Sequence, residues 1–220
     1  ARCLMPLASQ SHPIAMKPAT VELSAAALAQ LASVREQTHA QGELWIFAYG
    51  SLIWQPGFEV AESRLATLRG WHRGLQMWSR INRGTPEQPG LVFALLPGGA
   101  VKGLVMRPTR LDEAFWLNLW QREMPSCVYE PRWLRCQTQQ GEVHALAFTL
   151  SKKSPHFTGR LPPERLRAIL NDRQGGRYGH TFDYAWRTHQ SLLQLGIHDR
   201  PLARMLDLVR DQHPASKEAR

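Results

Sequence analysis

Glu43-Leu44-Trp45-Ile46-Phe47-Ala48-Tyr49-Gly50-Ser51-Leu52-Ile53-Trp54 is the stretch that decides how this chain of 220 residues is read. Leu44 to Ala48 is a short apolar run, rich in residues that favour extended backbone and without 3.6-residue spacing, so it is expected to be a buried strand. The strand breaks at Tyr49-Gly50-Ser51. Gly50 has access to backbone angles closed to other residues. It is expected to turn the chain sharply there and leave main-chain N–H groups facing a common hollow suited to an anion. An ordinary strand-ending turn is the competing reading of the same residues, because glycine is the usual turn residue.

Working back from that strand, Thr20 to Gln37 carries Leu23, Leu28, Leu31 and Val34 at helical spacing, with Thr20 or Ser24 as the cap and Thr38 to Gly42 as a linker. Ala1 to Pro18 has three prolines and no period, and reads as a mobile leader. Working forward, Ser63 to Arg69 and Trp71 to Ile81 are extended candidates. Asn82 to Gly90, with two prolines and two glycines, is a long loop. Leu91 to Leu96 and Val101 to Met106 flank Pro97-Gly98-Gly99-Ala100, which signals a hairpin. Thr109 to Trp120 fits a helix with a Thr or Asp cap that stops before Pro125. Tyr129 to Thr138 and Val143 to Thr149 are strands around Gln139-Gln140-Gly141. Helices follow over Pro162 to Leu170, Thr181 to Leu195 and Pro201 to Val209. Strands that cluster before helices, instead of alternating with them, predict an α+β fold with a mixed, barrel-like sheet.

Composition narrows the function. Hydrophobic residues at 43% and charged residues at 20% are ordinary for a globular domain and argue against wholesale disorder. No window approaches the roughly 18 apolar residues of a membrane span, and the first residues lack a secretory signal, so a cytoplasmic location is expected. Cys3, Cys127 and Cys136 fit neither a disulfide framework nor a zinc site, and the nine histidines show no HExxH. No metal or organic cofactor is expected. The formal charge is +9, and from Ser151 onward 13 basic side chains face 7 acidic ones. Without a clustered stripe or a recognisable module this reads first as a solvated basic surface, with a field that steers a small anionic substrate as the alternative; nucleic acid is not expected, and no membrane partner is indicated.

Glu123 is the candidate acid/base. It ends the Thr109 helix, where the negative end of the helix dipole disfavours a carboxylate, beside apolar Trp120 and Met124; both effects raise a carboxyl pKa. Pairing with Arg122 pulls the other way, and a solvated surface carboxylate is the plainer alternative. Ser51 has no GxSxG elbow and reads as a substrate-binding hydroxyl rather than a nucleophile. Cys127 reads as a half-buried bystander.

Tyr49-Gly50-Ser51-Leu52-Ile53-Trp54 ahead of Pro56 and Phe58, Arg83-Gly84-Thr85-Pro86-Glu87 with Pro89-Gly90, and Leu119-Trp120 ahead of Arg122-Glu123 together resemble the ChaC family of glutathione-specific γ-glutamylcyclotransferases, most of all its bacterial branch. The likeness runs from about Leu44 to Val209. It implies a γ-glutamylcyclotransferase-like mixed β-barrel flanked by helices, with a leader and helix over 1–42, the domain over 43–210 and a tail over 211–220. It also implies glutathione as substrate, Glu123 as the catalytic acid/base, and a substrate-binding turn of Ala48, Tyr49, Gly50, Ser51, Leu52 and Ile53 with Tyr129 nearby. One departure is Thr181, where the family commonly has Asn in a Gly-x-Asn-x-x-Tyr run. Two rivals stay open: a non-catalytic regulator or adaptor that senses an anion in the same hollow, and a cyclotransferase acting on another γ-glutamyl amide.

Overall fold

The computed structural model describes residues 22–172 and 174–209. The leader Ala1 to Pro18, the cap candidate Thr20 and the tail 211–220 lie outside the described residues. Five strands close into a barrel in the order β1-β3-β2-β4-β5. They are β1 (Trp45–Ala48), β2 (Val60–Ser79), β3 (Gly90–Pro108), β4 (Glu130–Thr138) and β5 (Gly141–Thr149). Neighbours pair antiparallel, except that β1 runs parallel to β5 (Trp45 opposite Ala145, Ile46 opposite Leu146) and closes the ring. The helices are α1 (Ala25–Gln41), α2 (Glu113–Glu123), α3 (Pro163–Asn171), α4 (Thr181–Gln194) and α5 (Arg200–Asp207). The α+β class with a mixed barrel is therefore as expected.

β1 explains its own sequence. Trp45, Phe47 and Tyr49 enter the apolar cluster shared with α3, α4 and α5, whereas Leu44, Ile46 and Ala48 enter the one beneath α1 and α2. Both faces are covered, so the run is apolar without alternation.

The glycine pair in Pro97-Gly98-Gly99-Ala100 does not make a hairpin. β3 passes straight through it and pairs with β2 on both sides, Arg69 opposite Ala100 and Trp71 opposite Pro97. Gly98 and Gly99 have φ of 109° and 79°, and Gly70 across from them has φ of 81°. The three left-handed residues form a bulge that bends a long two-stranded ribbon. The same bulge makes the two extended pieces expected over 63–81 a single strand. The hairpin turn of this ribbon is instead the loop 80–89.

α1 differs from expectation at its ends and on one face. The Ser24 hydroxyl caps it, accepting from the Ala27 N–H at 3.2 Å. The helix runs through the anticipated linker to a left-handed Gly42, φ 77°. Leu28 is exposed, and the buried stripe is Ala27, Leu31, Val34 and Thr38. The indole N–H of Trp120 donates to the Ala27 carbonyl at 2.9 Å, fixing α1 onto α2. Asp112 caps α2 by accepting from the Phe115 N–H at 2.9 Å. α2 ends at Glu123, just ahead of Pro125.

Candidate active site

At the end of β1 the chain passes through Tyr49 and Gly50 into one turn of 3-10 helix, Ser51–Ile53. Gly50 has φ of −133°, so it is not in the left-handed region that the sequence reading anticipated. Its requirement is space: a Cβ there would meet the Tyr184 hydroxyl oxygen at 3.2 Å and the Phe93 Cβ at 3.6 Å. Within the turn the Ile53 N–H donates to the Gly50 carbonyl at 3.0 Å, so Ile53 is spent on the turn itself. The N–H groups of Gly50, Ser51 and Leu52 have no acceptor among the described residues. Ala48 pairs with Leu104 in the sheet, and the side chains of Ala48 and Leu52 are buried beneath α1 and α2.

Arg122 joins this turn to Glu123. Its Nε donates to Glu123 Oε1 at 2.8 Å, one terminal nitrogen donates to Ser51 Oγ at 3.0 Å, and the other to the Gln55 carbonyl. One planar guanidinium thus spans α2, the serine and the segment after the turn, and it leaves Glu123 Oε2 without a partner among the described residues. The Glu123 side chain is 15% exposed. Burial pushes its carboxyl above the ordinary value, and the opposing pull of Arg122 does not cancel that.

Three phenols surround the same place. Tyr49 donates to the Phe148 carbonyl at 2.7 Å and Tyr129 to the Phe93 carbonyl at 2.8 Å. Tyr184 of α4 accepts from the Phe93 N–H at 3.3 Å, and its own proton has no acceptor among the described residues. Burial holds all three pKa values high, Tyr184 at about 12, and the Glu123 charge adds to the effect in each case. All three remain protonated donors at neutral pH.

The structure thus brings Glu123, Tyr49, Gly50, Ser51 and Tyr129 together. Cys127 is half-buried, with its sulfur 3.6 Å from Ser24 Oγ. Sequence reasoning missed the Arg122–Ser51 link and the part of Tyr184. Tyr184 closes the Gly179-His180-Thr181-Phe182-Asp183-Tyr184 run, which was the available signal. Thr181 is buried, and its hydroxyl accepts from the Leu91 N–H at 2.9 Å; it ties α4 to the start of β3.

This turn, carboxylate and barrel go with a family match over residues 44–212 to ChaC-like protein. The chain belongs to the ChaC-like family. It is 33% identical over 193 residues to the glutathione-specific γ-glutamylcyclotransferase of Escherichia coli K12, spanning 87% of this chain and 82% of that protein. It is 30% identical over 177 residues to human glutathione-specific γ-glutamylcyclotransferase 1, spanning 76% and 78%. Among solved structures, a glutathione-specific γ-glutamylcyclotransferase from yeast superposes with a TM-score of 0.68 at 19% identity, covering 78% of this chain and 97% of that one. The last likeness concerns the fold, which is that of a γ-glutamylcyclotransferase. Among the described residues no helix is long and apolar enough to cross a membrane.

Proposed function

We propose that this chain cleaves glutathione into 5-oxoproline and cysteinylglycine as a γ-glutamylcyclotransferase. The observation that carries the reading is the Arg122 bridge, which holds a largely buried carboxylate beside the Gly50–Leu52 turn. The free N–H groups of Gly50, Ser51 and Leu52, with the Ser51 hydroxyl, receive the α-carboxylate of the γ-glutamyl group. Tyr49 and Tyr129 wall the site. The substrate is folded so that its own α-amine faces its γ-carbonyl, which converts the attack into a proximity-driven ring closure.

Glu123 takes a proton from the α-ammonium through Oε2, because Oε1 is engaged by Arg122. The amine nitrogen attacks the γ-carbon, and the new C–N bond closes the five-membered ring. The attacking nitrogen sheds its second proton as the ring becomes a neutral lactam, and the γ-amide C–N bond breaks. The leaving nitrogen takes up both protons, one returned by Glu123 and one given up by the ring nitrogen, and departs as the ammonium of cysteinylglycine. No water is consumed, and the electron pair of the broken bond leaves with that nitrogen. The Tyr184 hydroxyl, whose proton is uncommitted, donates to the developing oxyanion; one such donor contributes about 3 kcal/mol to the barrier difference. The reading carries a cytoplasmic location with it, where Cys127 and Cys136 stay as thiols.

The test is direct. Purified chain incubated with glutathione releases cysteinylglycine and 5-oxoproline in equal amounts, and Glu123→Gln abolishes release while keeping the fold. Equal release by that variant removes Glu123 from the role. A panel of other γ-glutamyl amides decides donor preference.

A further inference from the structure

Beside this turn lie two guanidinium groups that the proposed chemistry does not use. Arg83, in the loop 80–89, stands over the Tyr184 ring with its guanidinium carbon 4.7 Å from the centroid. Arg187, on α4, stands 5.6 Å from the centroid of Trp54. The two rings touch edge to face, 6.4 Å between centroids, so both cations rest on one aromatic pair. Neither arginine forms an ion pair among the described residues.

The platform is rigid and adjoins the reacting end. Trp54 follows the 3-10 turn directly, and its indole N–H donates to Thr188 Oγ1 at 3.1 Å. Tyr184 is the residue against which Gly50 packs. The Arg83 main-chain N–H donates to Ser79 Oγ at 3.0 Å, and its guanidinium donates to the Tyr178 carbonyl. The loop that carries Arg83 is stitched to a second loop, Arg177 N–H to the Ile81 carbonyl at 2.8 Å and Tyr178 N–H to the Asn82 carbonyl at 2.9 Å. Burial holds the Arg83 guanidinium below its ordinary pKa, and the like charges of Arg187 and Arg122 add to that, whereas Tyr184 and Asp183 oppose it. Arg83 is half-buried and Arg187 exposed; two like charges that repel one another, without an ion-paired carboxylate, favour an anion bound between them.

We propose that Arg83 and Arg187 form a second carboxylate subsite, which receives the C-terminal carboxylate of the departing dipeptide and so selects γ-glutamyl peptides that end in a free acid. This rests on the cyclotransferase reading and names what that reading leaves open, the recognition of the leaving group. Glutathione carries its second carboxylate two residues beyond the γ-carbonyl, a reach of about 7 Å when extended. The subsite requires the remaining dipeptide to run from the turn past Tyr184 and Trp54, the ring pair that links Gly50 to both arginines. A planar guanidinium binds a carboxylate in two parallel hydrogen bonds, so a neutral ester at that position loses the contact.

Kinetics with glutathione and with its glycine monoethyl ester test this on the full chain. The ester is expected to show a KM about tenfold higher with kcat within about threefold, the loss of one charge-assisted contact. Arg187→Gln raises the KM for glutathione about tenfold and shifts that for the ester by less than about twofold, because the ester has already lost the interaction. Arg83→Lys, which keeps the charge but not the fork, gives the same pattern more weakly. Equal KM for acid and ester in the unmodified chain, or an equal rise for both in Arg187→Gln, overturns the subsite. If neither compound is turned over, the cyclotransferase reading fails separately, and calorimetry of the two compounds decides: tighter binding of the acid that Arg187→Gln abolishes upholds the subsite, and any other result overturns it.

Discussion

Asp199→Asn removes one charge and turns one acceptor oxygen into a donor at nearly constant shape, which makes it a test of how the turn is held. Arg73 of β2 is buried, its side chain 2% exposed, and meets Asp199 with a terminal nitrogen 3.0 Å from Oδ2. Its Nε donates to the same oxygen at 3.1 Å, and its other arm donates to the Tyr49 carbonyl at 2.9 Å. Asp199 Oδ1 also caps α5, accepting from the Leu202 N–H at 3.0 Å. Burial holds the Arg73 guanidinium below its ordinary pKa, and Asp199 is the largest influence opposing that. Asparagine keeps the shape and, with its oxygen on the Leu202 N–H, the cap, but it turns an NH2 donor toward the Arg73 donors and strands the guanidinium without a counter-charge, a loss of about 3 to 5 kcal/mol for a buried pair. The Tyr49 and Lys102 carbonyls still accept from Arg73, so about 3 kcal/mol is expected. Asp199→Ala loses the cap as well and costs about 1 kcal/mol more. Urea denaturation at neutral pH measures both. In the Arg73→Met background, Asp199→Asn is expected to cost less than half as much. A single Asp199→Asn variant within about 0.5 kcal/mol of the parent refutes the view that Arg73 depends on this partner. Because Arg73 grips the carbonyl just before Gly50, the variant also raises the KM for glutathione at temperatures where it remains folded.

Glu123→Gln is expected to lower turnover by at least about 10²- to 10⁴-fold, the usual worth of a positioned base. Its stability carries a pH signature. The folded carboxyl titrates above its unfolded value, so the parent loses stability as pH rises through that window while the amide variant does not, and urea midpoints at about pH 4 and about pH 7 read the widening gap in favour of Glu123→Gln. Gly50→Ala pushes a methyl to 3.2 Å from the Tyr184 hydroxyl; turnover falls sharply while the denaturation midpoint shows a cost of only about 1 kcal/mol. In Gly84→Ala the new Cβ would lie 2.1 Å from the Gly90 nitrogen, so a loss of about 3 kcal/mol and a disordered 80–89 loop by hydrogen exchange are expected. Tyr184→Phe lowers kcat about 10²-fold with KM little changed if its hydroxyl meets the oxyanion, and equal kcat removes it from that role.

What was legible in the sequence follows from how local the cause is. Leu44 to Ala48 was readable because burial on both faces writes an uninterrupted apolar run. The end of α2 at Glu123 was readable because Asp112 opens the helix and Pro125 stops it within a dozen residues. Gly98-Gly99 was misread because left-handed glycines serve a hairpin and a bulge equally well. The choice between them is made by pairing with Gly70 on β2, a contact that no window around Pro97 contains. The same limit hid the Arg122–Ser51 bond, whose partners are 71 residues apart. It also hid the arrival of Tyr184 from α4 beside Tyr49 and Tyr129, which the family resemblance had already placed together.

Thr181 is tied to the base of the loop 80–89 by its own contacts. Its side chain is buried, and its hydroxyl accepts the N–H of Leu91, the residue where β3 leaves the 80–89 loop. A Cβ on Gly90 would come within 2.6 Å of that hydroxyl and within 2.1 Å of the Arg83 carbonyl. Thr181, Gly90 and the backbone of Arg83 are therefore one packed contact. The Thr181 hydroxyl holds α4 against the base of the loop. Three residues further along α4, Tyr184 supplies both the ring beneath the Arg83 guanidinium and the hydroxyl above Gly50. One helix end thus fixes the loop, the cation on the loop and the phenol at the turn, and a substitution at Thr181 acts on all three through position alone.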